Sequence, residues 1–217
     1  MDRAYARLRA HRVAHASSEP QRLPDWNPQA GGIRAFYFRD PEGHFLELIW
    51  FPKGKGDARW QQPGDRLFLG IDHTAIAVAD TEASLGFWRD RLGLKVAGGA
   101  ENWGTEQEHL NAVFGARLRI TALRAARGPG VELLEYLTPR DGRPRPPDAR
   151  ANDLLHWQTV LVARDTAKLA TRLLSGRVAF HSPGAVRLER ADLGFGEAFL
   201  AADPDGHAVR VADGATH

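Results

Sequence analysis

No cysteine occurs among the 217 residues. That excludes disulfide bridges, thiolate metal ligands and a cysteine nucleophile, and it fits a reducing compartment. Long apolar runs are also missing. Nothing approaches the ~20 consecutive apolar residues that span a bilayer. The opening Met1-Asp2-Arg3-Ala4-Tyr5-Ala6-Arg7 lacks the pattern of a secretory leader. A cytoplasmic protein without membrane attachment is the expectation. An excess of one charge is absent too. Lys plus Arg is 29 against 27 for Asp plus Glu, a formal net charge of +2, although the sequence pI is about 9.2. The arginines are scattered, apart from a short Arg/Pro stretch at 140–150. No basic groove is written into the sequence, which argues against nucleic acid as a partner.

What is present is ordinary globular material, 43% hydrophobic and 26% charged, enough for a buried core. Its most informative property is internal repetition. Asp40-Pro41-Glu42-Gly43-His44 recurs as Asp203-Pro204-Asp205-Gly206-His207. An aromatic strand precedes each copy, Phe36-Tyr37-Phe38 and Phe199-Leu200, and an apolar strand follows, Phe45–Ile49 and Ala208–Val211. Pro at the second position and Gly at the fourth make each copy a β-turn between hairpin strands. His44 and His207 then follow turns and read as solvated.

A second pair begins with histidine. Ile71–Val78 and Leu154–Val162 are β-branched, apolar runs carrying His73 and His156 near their starts, and both read as strands. A helical stripe follows each: Leu85, Phe87, Trp88 and Leu92 after a cap at Asp80 or Thr81, and Leu169, Leu173 and Leu174 after a cap at Asp165 or Thr166. The aromatic stripe is expected in the core. Gly93 and Gly176 stand at the same distance beyond the two histidines, and each is expected to end its helix.

The repeating unit is therefore a strand, a helix and three strands, an α+β fold of tandem βαβββ modules forming a cup-shaped mixed sheet with flanking helices. Residues 70–138 and 151–213 form the two modules of a complete domain, 70–213, joined by a Pro/Arg-rich loop. Leu8–Val13 resembles Leu173–Val178. Residues 1–52 therefore match the unit from its helix onward, a partial module without its first strand, and 53–69 reads as linker. A start placed too late, a fragment, or a strand supplied by a partner would each account for this. An unpaired sheet edge favours a homodimer.

Three motifs, "GIDHTAIAVAD", "VELLEYLTP" and "FYFRDPEGHFLELIWFP", resemble the vicinal oxygen chelate superfamily: glyoxalases, bleomycin resistance proteins and extradiol dioxygenases. The resemblance implies two modules paired around a divalent metal ion (Fe, Mn, Zn, Ni or Co). Each module offers one ligand from its first strand and one from its last. Carried over by position, the metal ligands are His73, Glu132 and His156, with Glu132 also catalytic and Glu135 the alternative to it. Glu47 is the equivalent ligand of the partial module. Arg210 occupies the last such position. A guanidinium cannot ligate a cation, so Arg210 reads as a substrate-binding anion clamp or as an outward arginine, and it weakens a ring-cleaving dioxygenase. His73, His156 and Glu132 each keep a plain structural reading beside the ligand one. Trp103, Gln107, His109 and Asn111 read as a surface loop or a lid.

Three functions follow: a metal-dependent lyase, isomerase or oxygenase on a small substrate with vicinal oxygens; a metal-free small-molecule binding protein of the drug-sequestering type; or a degenerate half of a longer tandem protein whose activity sits with Glu47.

Overall fold

The computed structural model describes residues 1–62, 64–189 and 191–214. It is the α+β arrangement the repeats imply. Chain order begins with helix α1 (Asp2–Ala10), short strands β1 (Ala14–His15) and β2 (Gln21–Arg22), then the hairpin β3 (Arg34–Arg39) and β4 (Phe45–Trp50). There follow β5 (His73–Val78), α2 (Thr81–Trp88), β6 (Lys95–Trp103), α3 (Thr105–Asn111), β7 (Arg117–Arg124) and β8 (Gly130–Thr138). The last stretch holds β9 (Gln158–Ala163), α4 (Thr166–Ser175), β10 (Val186–Arg187), β11 (Glu197–Ala202) and β12 (Ala208–Asp213). Among the described residues no helix is long and apolar enough to cross a membrane.

The chain divides into two compact units, and the division cuts across the repeat boundaries. The first holds Met1–Thr81 and Lys95–Gly142, the second Glu82–Leu94 and Arg143–His217. The sequence pairs module 70–138 with module 151–213. In the structure the strands of 70–138 share their unit with residues 1–52 instead. Two four-stranded sheets build the first unit: β3 with β1, β2 and β4, and β5-β8-β7-β6. They are joined by buried polar contacts: Ser17 Oγ donates to the Leu110 carbonyl at 2.6 Å, and Asn27 Nδ2 donates to Asn102 Oδ1 at 2.7 Å.

The linker is also folded into this unit. Asp57 caps a 3-10 turn at Ala58–Gln61. Lys55 Nζ donates to the carbonyls of Pro28 and Gln29, and Gln61 Nε2 donates to that of Lys55. Residues 105–111, expected as loop, form α3. Gly104 (φ +97) starts the turn, Ala112 (φ +53) ends it, and Gln107 and Leu110 face inward. Two apolar-side positions in seven residues are too few to announce a helix.

In the second unit β9 and β12 run parallel, with β11 and β10 beyond. Phe199, Val209, Val211 and Leu173 are buried, as are Leu85, Phe87 and Trp88 of the aromatic stripe. Asp165 caps α4, its carboxylate accepting from Lys168 N–H at 2.8 Å. Gly176 ends α4 as its C-cap, as expected, and Gly93 follows the end of α2. The left-handed conformation falls on Gly93 (φ +82) after α2 and on Arg177 (φ +57), directly beyond the Gly176 cap, after α4.

The two Asp-Pro-x-Gly segments are β-turns, with Gly43 (φ +93) and Gly206 (φ +85) supplying the left-handed residue. In each, the aspartate accepts from the backbone N–H two and four residues on and from the histidine ring. Asp203 is buried and also receives Trp88 Nε1 at 3.2 Å, whereas Asp40 is partly exposed. Asp203→Ala is therefore expected to cost about 3 kcal/mol, and Asp40→Ala about 1 kcal/mol. Urea unfolding of the two variants checks the difference; equal losses would contradict it.

Candidate functional site

Strand alternation decides which side chains enter the first unit's pocket. Counting outward from the Asp40 turn, the β3–β4 register pairs Tyr37 with Glu47 and Ala35 with Ile49. All four line the pocket. In the other sheet His73 pairs with Gly130, and Ala75 pairs with Glu132. His73 and Glu132 are thus diagonal neighbours on one face of two parallel strands. The pocket, about 210 Å³, is also lined by Ala100, Asn102, Gln107, Leu110, Ile120 and Ala122, with Leu23, Ala30 and Ile33 as an apolar wall.

Three sequence-selected residues meet there. His73 Nε2 lies 3.8 Å from Glu47 Oε2 and 3.5 Å from Glu132 Oε2. The other ring nitrogen, Nδ1, is 2.8 Å from Asp72 Oδ2. Asp72 is held in turn by Trp60 Nε1 at 2.6 Å and by Arg124, whose Nη2 reaches the carboxylate at 3.0 Å and whose Nη1 reaches the Asp72 carbonyl at 2.7 Å. Gly130 leaves room for that arginine. A Cβ there would stand 2.6 Å from Arg124 Nη1.

Electrostatics divide these acids by surroundings. Burial pushes Glu47 up to about 7, with Glu132 adding to the effect and His73 opposing it. Burial likewise raises Glu132. Asp72 goes the other way. Burial would raise it, but hydrogen bonds from His73, Trp60 and Arg124 hold it far below the usual carboxylate range. Burial opposes charge on His73, yet its bond to Asp72 and the nearby Glu132 and Glu47 push it up to about 9. Tyr37, buried beside both glutamates, is raised well above its ordinary value and stays a neutral phenol.

The remaining candidates lie elsewhere. Glu135 is buried away from the pocket, accepting from Thr81 Oγ1, Arg119 and Arg140. His156 belongs to the second unit, preceding β9, and its Nδ1 is buried without a hydrogen-bond partner among the described residues. Arg210 also belongs there, its guanidinium 5.6 Å from the Phe195 ring centre. Neither lines the pocket. Asp40, Glu42 and His44 bring three ligand-type atoms within 4.8 Å of one another. Asp40 is already engaged by the turn, so that grouping is the turn's own geometry. Sequence reasoning missed Tyr37, Asp72, Trp60 and Arg124, whereas Gln107, read as loop or lid, lines the pocket. Two had a signal: Tyr37 lies opposite Glu47 across a recognised turn, and Asp72 directly precedes His73.

One imidazole and two carboxylates are donor types that suit a divalent ion, and both carboxylates approach His73 Nε2. Among the described residues, however, only Asp40, Glu42 and His44 bring three ligand atoms all within 4.8 Å of one another, so a shared ion would draw Glu47 and Glu132 closer together. Ligands about 2.1 Å from a four-coordinate ion stand roughly 3.4 Å apart, close to the two distances from His73 Nε2. With Nδ1–H directed to Asp72, Nε2 is the free ligand atom.

Without metal, the raised acids have a definite signature. A carboxyl whose folded pKa exceeds its unfolded value binds more protons when folded, so stability falls as pH rises between the two. For Glu47 that window runs from about 4.5 to about 7. Metal-free protein should lose on the order of 2–3 kcal/mol across it relative to Glu47→Gln. Thermal unfolding at pH 5 and pH 7.5 measures this; parallel behaviour of the two proteins would contradict it.

Comparison with known proteins agrees with the fold. A glyoxalase family protein from Bacillus cereus superposes with a TM-score of 0.57 at 18% identity, covering 70% of this chain and 99% of that one. A glyoxalase I mutant from Zea mays gives 0.60 at 17% identity, covering 97% of this chain and 64% of that one. No curated protein matches. The profile of the Glyoxalase/Bleomycin resistance protein/Dioxygenase superfamily matches residues 70–211, and the chain belongs to that superfamily.

Proposed function

We propose that the first unit is a divalent-metal-dependent lyase or isomerase site for a small substrate with adjacent oxygens. The convergence of Glu47, His73 and Glu132 in one pocket carries the reading. His73 Nε2 and the two carboxylates would hold the ion, which would supply Lewis acidity toward the substrate oxygens. The protein's own part is proton handling. Glu47 and Glu132 face the same imidazole, and a carboxylate released from the ion by incoming substrate could take a proton and return it. Such a pair suits moving a proton between neighbouring carbons of a carbonyl compound, at the glutamate Oε2 atoms. Leu23, Ala30, Ile33 and Leu110 give the pocket an apolar wall.

One histidine with two glutamates differs from the two-histidine, one-carboxylate set of non-haem iron oxygenases, so lyase or isomerase chemistry is favoured over oxygenation. The drug-sequestering alternative rested on Arg210, which lies outside this pocket's lining. The degenerate-half alternative keeps part of its force for the second unit, where Arg210 replaces a carboxylate.

Protein purified without chelator or nickel resin should carry close to one Mn, Fe, Co, Ni or Zn per chain. Glu47→Ala, His73→Ala and Glu132→Ala should each weaken binding at least tenfold, and His156→Ala should leave it unchanged. Metal analysis of the five proteins decides. Loss on His156→Ala with retention on Glu47→Ala would place the site in the other pairing.

A further inference from the structure

The segment between the hairpin and β5 reads as linker, yet it supplies the atom that anchors the Asp72–His73 pair. We infer that the 3-10 turn Ala58–Gln61 is a positioning element of the pocket: Trp60, with Arg124, fixes Asp72, and Asp72 fixes the imidazole of His73. The inference deepens the metal-site reading and rests on it for its functional meaning.

Several independent contacts hold the turn in place. Asp57 Oδ1 accepts from Arg59 N–H at 2.9 Å. Gln61 Nε2 donates to the carbonyls of Lys55 and Pro52 at 2.9 and 3.2 Å. The Arg59 guanidinium lies 4.2 Å from the Trp60 ring centre. Gly70, at φ +152, lets the chain pass the indole; a Cβ there would stand 3.1 Å from the ring edge. The indole N–H then reaches Asp72 Oδ1, leaving Oδ2 for His73 Nδ1 and Arg124 Nη2.

The consequence is directional. Asp72 is buried, with 9% of its surface exposed. Its two oxygens take three side-chain donors, each from a different part of the unit: the turn, β7 and the first residue of β5. A carboxylate tied on both oxygens cannot rotate with the imidazole. The ring must therefore present Nδ1–H to Asp72 and Nε2 to the pocket, the arrangement that orients metal-ligating histidines. An untethered aspartate would leave two ring orientations open.

Trp60→Phe tests this, because it deletes the donor and keeps a smaller aromatic side chain; Asp72→Ala is the stronger variant. Two readouts are needed. Hydrogen exchange of the His73 Nδ1 proton, followed by nitrogen-15 NMR on metal-free protein at pH 7 and assigned with His73→Ala, reports the tether without metal. Zinc affinity, by competition with a chromophoric chelator, reports its functional worth. The wild-type proton should exchange slowly and Trp60→Phe should speed it. Zinc should bind roughly fivefold more weakly in Trp60→Phe, the worth of one hydrogen bond, and 10- to 100-fold more weakly in Asp72→Ala. Wild-type exchange and zinc affinity in Trp60→Phe would overturn the tether and leave the metal reading standing. A wild type that binds no zinc, but whose slow Nδ1 proton is lost in Trp60→Phe, would sink the metal reading and keep the tether.

Discussion

Two buried carboxylates share one pocket with one imidazole, and that charge balance governs the first unit. Glu47 and Glu132 approach the same nitrogen of His73 from different sheets. Burial raises both acids, so ionising both without a cation is costly. The surrounding structure keeps them together. Ser17 and Asn27 tie the hairpin's sheet to α3 and β6, and the β3–β4 register points Tyr37 and Glu47 inward as a pair. Asp72, only one residue from His73, is driven the opposite way by three donors. One held anion thus stands beside two buried acids whose charge is disfavoured.

The modules were legible in the sequence because their signals are local. A turn motif, an alternating strand and a capped helix each declare themselves within about a dozen residues. His73, Glu132 and Glu47 were reached by carrying module positions over. Which modules share a pocket was not legible, because that depends on contacts such as Ser17 with Leu110, 93 residues apart. The two complete copies were natural partners on paper, yet the polar docking of residues 15–27 put Glu47, not His156, opposite His73. The same limit hid Trp60. A Gly/Lys/Pro-rich stretch reads as linker unless its one aromatic is known to find a buried acceptor.

The second unit keeps the strand–helix–strand frame of the module. Arg210 stands where the other modules carry glutamate, and its guanidinium faces the Phe195 ring. Buried Asp203 ties the Trp88 indole to the turn before β12. A shared fold does not require a shared activity. One chain can hold a module used for chemistry and another used for packing.

The most direct test of the account is the location of a bound ion. Crystals grown with manganese or zinc and measured at the metal's absorption edge would give an anomalous difference map. The strongest peak is expected among Glu47, His73 and Glu132, with Nε2 of His73 as the ligand atom. A strongest peak at Asp40, Glu42 and His44, or beside His156, or no peak at saturating metal, would contradict it.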